Sequence, residues 1–187
     1  MNNQGGQGGG GHDQQQPGSG GGGFNIGDIA GIVNHAQNHD QSNSGDQQLF
    51  GQVASFLQSK AGNVQGDVNE NELMNAHDKV NNGTDPVNSH EIGNAAALGA
   101  IRNVLGSGSG NTGSGDFQQK LIGAAMAQAG KLFDQKQNAG QAGGGSKEDA
   151  MNKAGEQVMK LLVKNQVSGM IGGGNSGGLS GLMKLIG

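Results

Sequence analysis

The chain has 187 residues, a formal net charge of −4, and 40 glycines against five Phe and no Cys, Trp or Tyr. The absence of cysteine excludes disulfides and thiolate metal centres and fits a reducing compartment. Glycine on this scale leaves room for one domain with a thin core, for which association with a partner would be a help.

The charge is unevenly placed. Residues 1–106 carry three basic and ten acidic side chains, net −7, and residues 107–187 carry eight and five, net +3. Drift in solvated faces accounts for this, and the sharper reading is that the acidic half docks on the basic half. A single Arg and no aromatic among the basic residues argue against nucleic acid. The opening MNNQGGQGGGG has neither the basic region nor the apolar stretch of a secretory signal. The longest apolar runs fall far short of the roughly 18 residues that cross a bilayer. The expectation is a soluble protein of the cytoplasm, with the nucleus as the second compartment.

Residues 1–23 hold eleven glycines and several Gln, a composition that cannot bury a core, and are read as a disordered arm. Phe24 to His39 is a short helix, with Ile26, Ile29, Val33 and Ala36 on one stripe and Gly27 and Gly31 weakening it. Ser44 to Ala61 follows, with Ser44 and Gln47 at capping-box spacing. Leu49, Phe50, Val53, Phe56 and Leu57 make its apolar face, Lys60 its rim, and Gly62 its stop. Asn69 to Val80 is capped by Asn69 with Glu72 and carries a narrow stripe of Leu73, Ala76 and Val80. Asn81 to Pro86 is a turn cluster.

Asn88 to Leu105 repeats the cap pattern with Asn88 and Glu91. Its alanines and Gly99 make it slim, which suits a central, closely approached position. Residues 107–113 read as a flexible linker. Ser114 to Lys136 is the clearest amphipathic helix: Phe117, Leu121, Ala125, Gln128 and Leu132 recur at helical spacing with Ile122, Ala129 and Phe133 beside them. Gly123 and Ala127, four apart and small, invite tight packing. Residues 139–145 read as a second flexible loop. Ser146 to Gly169 is a further helix with Ser146 and Asp149 at box spacing. Residues 172–187 are a Gly-rich tail ending in the short apolar segment Leu179 to Ile186. No stretch alternates with period two, and no hairpin signal stands between β-branched runs. The fold class is therefore all-α, a small irregular bundle of about five helices over residues 24–171 with disordered Gly-rich ends and loops.

The run LIGAAMAQAGKLFDQ at Leu121–Gln135, the Phe24–His39 segment, and Gly45-Asp46 with Leu49-Phe50 together resemble a family of small uncharacterised fungal proteins of the "beta-flanking" type. The resemblance spans Ile29 to Leu162. It implies a fungal source and carries over no activity and no functional residue.

No motif assigns chemistry. His35 and His39 lie four apart with Asp40 following, and His77 or His90 would have to complete a metal site. Polar surface histidines are the favoured reading. Asp67, Asn69 and Asn71 match the start of a calcium loop, but Glu72 stands where Gly is needed and Asp78 where Glu is needed, so the stretch reads as a helix cap. His90-Glu91 lacks the second histidine of a zinc protease, and the Gly runs lack the Lys of a phosphate loop. Met159–Ile171 and the tail, with Lys160, Lys164 and Lys184, would suit an anionic membrane surface, but core packing is favoured. The residues thus point to a non-enzymatic protein with no catalytic, metal or cofactor-binding residue, no cofactor and no evident small-molecule ligand. A stress-protective, hydrophilin-like role is favoured on composition. The alternatives are a helical interaction module that self-associates or binds partner helices, and a peripheral membrane protein.

Overall fold

The computed structural model describes residues 29–40, 46–64, 67–107 and 115–171, with side chains in the last helix as far as Lys164. Among them are six helices, α1 (Ile29–His39), α2 (Gln47–Ala61), α3 (Glu70–Asn82), α4 (Ser89–Gly106), α5 (Gly115–Asn138) and α6 (Lys147–Ile171). Two short strands, β1 (Val87–Asn88) and β2 (Ala142–Gly144), pair in parallel. The all-α reading holds, with each of the six apolar-periodic stretches forming its helix. The arm 1–23, the linker, the tail 172–187 and the Ser44 cap lie outside the described residues.

Local chemistry sets the helix ends. The Asn69 side chain accepts from the Glu72 N–H at 3.2 Å. Asn88 and Glu91 close a complete capping box, with Asn88 Oδ1 accepting from the Glu91 N–H at 2.9 Å and Glu91 Oε2 from the Asn88 N–H at 2.9 Å. Ser146 and Asp149 do the same at 3.0 and 2.9 Å. The Ser146 N–H, and after it the Ser146 hydroxyl, hold the Asp149 carboxyl below its ordinary 3.8. Gly62 ends α2 as expected, with right-handed backbone at φ −73°. The turn Gly140 to Gly145 does use left-handed backbone, at Gly140 (φ 69°) and Gly145 (φ 87°).

Helix α4 is the axis of the molecule. It packs on α3, α5 and α6, and twelve of its residues from Ser89 to Val104 are buried. A helix apolar over most of its circumference packs against several neighbours at once. Glycines admit its neighbours: a side chain at Gly99 would strike Gln128 of α5, and one at Gly93 would meet the Ala150 carbonyl oxygen of α6 at 2.7 Å. Helix α1 lies on α5 over Gly123, and Gly155 of α6 receives Leu57 of α2.

The strands are a departure from the sequence expectation. Strands of two and three residues cannot show alternation, so no pattern announced them. Val87, fully buried, donates its N–H to Gln141 at 2.9 Å and pairs with Ala142. This ties the turn before α4 to the turn before α6.

The two oppositely charged halves do meet. Lys147 at the start of α6 contacts Asp46 at 2.5 Å and Lys164 lies 3.6 Å from Asp67, while Lys147 also contacts Asp134 of its own half at 2.7 Å. Burial alone would lower the Lys147 pKa, but the two carboxylates outweigh it and hold it above 10.5. No described helix is long and apolar enough to cross a membrane.

Candidate functional site

The residues set aside as helix caps and noise come together at one place. Along α3, Glu72, Asn75 and Lys79 fall three and four apart and share a face. On α4 and its cap, Asn88, Glu91 and Asn94 recur every third residue. Packing α3 against α4 sets these two stripes along a cleft of about 510 Å³, which Asn69, Asn71, Ala76 and His90 also line. Only Ala76 in that lining is apolar.

The cleft is internally ordered. Lys79 Nζ donates to Glu91 Oε1 at 2.7 Å, and the other Glu91 oxygen is taken by the Asn88 N–H. Burial by itself would raise the Glu91 pKa, but the Lys79 ammonium and the Asn88 N–H prevail and hold it below 4.5. Asn94, 2% exposed, donates from Nδ2 to Glu72 Oε1 at 2.8 Å. Its own Oδ1 is buried without a hydrogen-bond partner, an arrangement that typically costs about 1–3 kcal/mol. Glu72 and Asn75 are exposed along the α3 wall. The cleft therefore offers amide donors and acceptors, one carboxylate with solvent access, and an ammonium partly neutralised by Glu91.

The other candidate residues are dispersed. Asp67 faces Lys164, and Asp78 lies beside its neighbour His77 at 3.7 Å. Asn69 is the cap of α3, as expected of the calcium-like stretch. Among the described residues no group of three or more His, Asp or Glu is placed to hold a metal ion. His35 and His39 sit instead on the seam between α1 and α5, where His35 Nε2 lies 3.3 Å from Asp116 Oδ1. Met159, Leu161 and Leu162 are buried, and Lys160 pairs with Glu156 at 2.7 Å, so the described part of the Met159–Ile171 segment is core.

His39 gives the seam a pH dependence. Burial, then the charges of Lys120 and His35, hold its pKa below 6.5. The unfolded chain then takes up the proton first. His39's contribution to stability is complete above 6.5 and declines as pH falls through 6.5 toward the folded value. A histidine-resolved NMR titration should place His39 below 6.5 and show an upward move in Lys120→Gln. A titration at or above 6.5 in the folded protein would contradict this account.

A second opening, about 280 Å³, lies at the C-terminal end of α1 against α4 and α5, with His39, Asn103, Gln128 and Lys131 on its rim. It is smaller, and its Asn103–Gln128 contact is long at 3.4 Å.

Sequence reasoning missed the α3–α4 cleft because each residue had a sufficient local explanation. The available signal was the pairing of two polar stripes, 72/75/79 and 88/91/94, on helices joined by a short turn.

A family model described as a domain of unknown function (DUF7721) matches residues 28–110. The match takes in α1 to α4 and the whole cleft, but leaves out Leu121–Gln135. No curated protein and no solved structure matches the chain. The matched region shares its core with the rest of the chain, since the buried Ile32 and Ala36 of α1 pack on α5 at Gly123.

Proposed function

We propose that this chain is a non-catalytic, intracellular interaction module of a fungal cell that binds an extended segment of a protein partner in the α3–α4 cleft. The five asparagines that line the cleft, Asn69, Asn71, Asn75, Asn88 and Asn94, carry this reading. A peptide main chain alternates N–H donors and C=O acceptors, and each Asn side chain offers both. Recognition of an amphipathic helix would need apolar pockets for its anchors. The cleft has only Ala76 to offer, and among the described residues Phe56 alone is an exposed large hydrophobic. An extended partner segment therefore fits better than a partner helix. The fungal source rests on the resemblance of Leu121–Gln135 and its companion motifs.

The test compares binding by the full-length protein, Asn75→Arg and Phe56→Ala, with circular dichroism as the check on folding. Both residues are exposed, so both variants should fold. The expected result is a partner whose affinity falls by about tenfold or more with Asn75→Arg and is unchanged with Phe56→Ala. Undiminished binding by Asn75→Arg would remove the cleft from the account. Sedimentation of the same proteins separates self-association from a foreign partner.

Composition supports a second reading. Forty glycines and a mean hydropathy of −0.54 are hydrophilin-like, and suit protection of other proteins during water loss. A labile enzyme dried with this protein would have to survive better than one dried with albumin. The membrane reading falls back on Leu179–Ile186, outside the described residues, and binding to anionic vesicles tests it.

A further inference from the structure

The turn between α3 and α4 carries a chemistry of its own. Asn82 is the last residue of α3 and is exposed, and Gly83 follows it. The fold demands glycine there, because a side chain at Gly83 would run into the carbonyl oxygen of Lys79. Asn-Gly is the pairing in which a main-chain nitrogen reaches the preceding side-chain amide with no side chain in its path. The chain has no other Asn-Gly pair.

We propose that Asn82 is a self-modification site whose conversion to aspartate and isoaspartate is gated by the last turn of α3. The Gly83 nitrogen gives up its proton and bonds to Asn82 Cγ. The Cγ–Nδ2 bond breaks, ammonia leaves, and a succinimide ring remains. Water then opens the ring at either carbonyl. One water is consumed, one ammonia is released, and nothing is oxidised or reduced.

The folded state blocks this reaction twice. The Gly83 N–H donates to the Lys79 carbonyl oxygen at 2.9 Å. Ring closure also needs the Gly83 nitrogen, the Asn82 carbonyl carbon, Cα and Cβ close to one plane, which the helical ψ of Asn82 does not supply. The turn is braced from both sides. Asn81 Nδ2 donates to the His77 carbonyl oxygen at 2.8 Å, Lys136 Nζ to that of Gly83 at 3.3 Å, and Gln141 Nε2 to that of Thr84 at 2.9 Å. Fraying of a helix end is among the least expensive openings a fold makes, and it releases both blocks together.

The product disturbs its surroundings. A new carboxylate sits at the negative end of the α3 dipole. Isoaspartate also lengthens the main chain shortly before Val87, which is fully buried, and Asn88, which caps α4. The cleft walls would then lose their register. The site itself stands whether or not the cleft binds a partner.

The test keeps the full-length protein in warm, mildly alkaline buffer, with and without urea, and follows the tryptic peptide Val80–Arg102 by mass spectrometry and isoaspartate detection. Acid should accumulate at Asn82 ahead of Asn81, Asn88 and Asn94 in the same peptide, and about tenfold faster in urea than in the fold. Lys136→Met should raise the folded rate and leave the urea rate alone. Conversion at Asn82 no faster than at Asn88 in urea would overturn the site. Equal rates with and without urea would overturn the gate. An undiminished signal in Asn82→Gln would place the chemistry elsewhere.

Discussion

Phe50→Ala should lower the unfolding free energy of the full chain by about 4 kcal/mol, within the range measured for buried Phe truncations. Phe50 is 1% exposed and is the largest of the fully buried side chains among the described residues; Phe117 and Phe133, the other core aromatics, are each 6% exposed. Its removal takes apolar surface out of the core and leaves a cavity that rigid helix backbones cannot close. Phe56 lies six residues on, along the same helix, and provides the control. It is 39% exposed, with the Lys60 ammonium 5.3 Å from its ring centroid. Phe56→Ala should change stability by less than about 1 kcal/mol. Urea unfolding of the two variants reads the difference directly as a shift in midpoint. Equal losses from the two would mean that α2 presents another face to the core.

Gly123→Ala should destabilise the protein by about 1–2 kcal/mol, against the trend of helix propensity. Alanine inside a helix is worth about 1 kcal/mol over glycine. At this position a Cβ would stand 2.8 Å from Ala36 N, Ile32 O and His35 Cβ. Two of those three are main-chain atoms of α1, so no rotamer change relieves the contact. The seam must open, and overpacking of this kind costs about 1–3 kcal/mol. Ile32 and Ala36, both fully buried, would then lose contact with α5. Gly51→Ala isolates the propensity effect, because nothing lies within 4 Å of its Cβ position. That variant should gain about 0.5–1 kcal/mol. Hydrogen exchange adds a local readout: Gly123→Ala should speed exchange across α1 more than across α4, which packs on three other helices. Stabilisation by both substitutions would mean that α1 does not rest on α5 as described.

These outcomes mark the division between chain and fold. The helical stretches were legible in the chain, about five being expected where six are found, because each carries an apolar stripe of helical period and three carry a polar cap: Asn69, the Asn88/Glu91 box and the Ser146/Asp149 box all formed. The central place of α4 was legible too, since its run of alanines and Gly99 makes a slim helix that neighbours can approach closely. Three matters were decided only by tertiary packing. The first is that α2 buries Phe50 and leaves Phe56 at the edge, although both lie on its apolar side. The width of a stripe does not say which part of it a neighbour covers. The second is the β1–β2 pair, too short for periodicity and made only when two turns distant in sequence are brought side by side. The third is the cleft. Glu72, Asn75 and Lys79 are an ordinary solvated face on α3 alone, and Asn88, Glu91 and Asn94 an ordinary cap and flank on α4 alone. A site made of two such faces exists only once the Gly83–Pro86 turn folds the helices together, because complementarity between surfaces is a property of their distance and angle, which no single helix encodes.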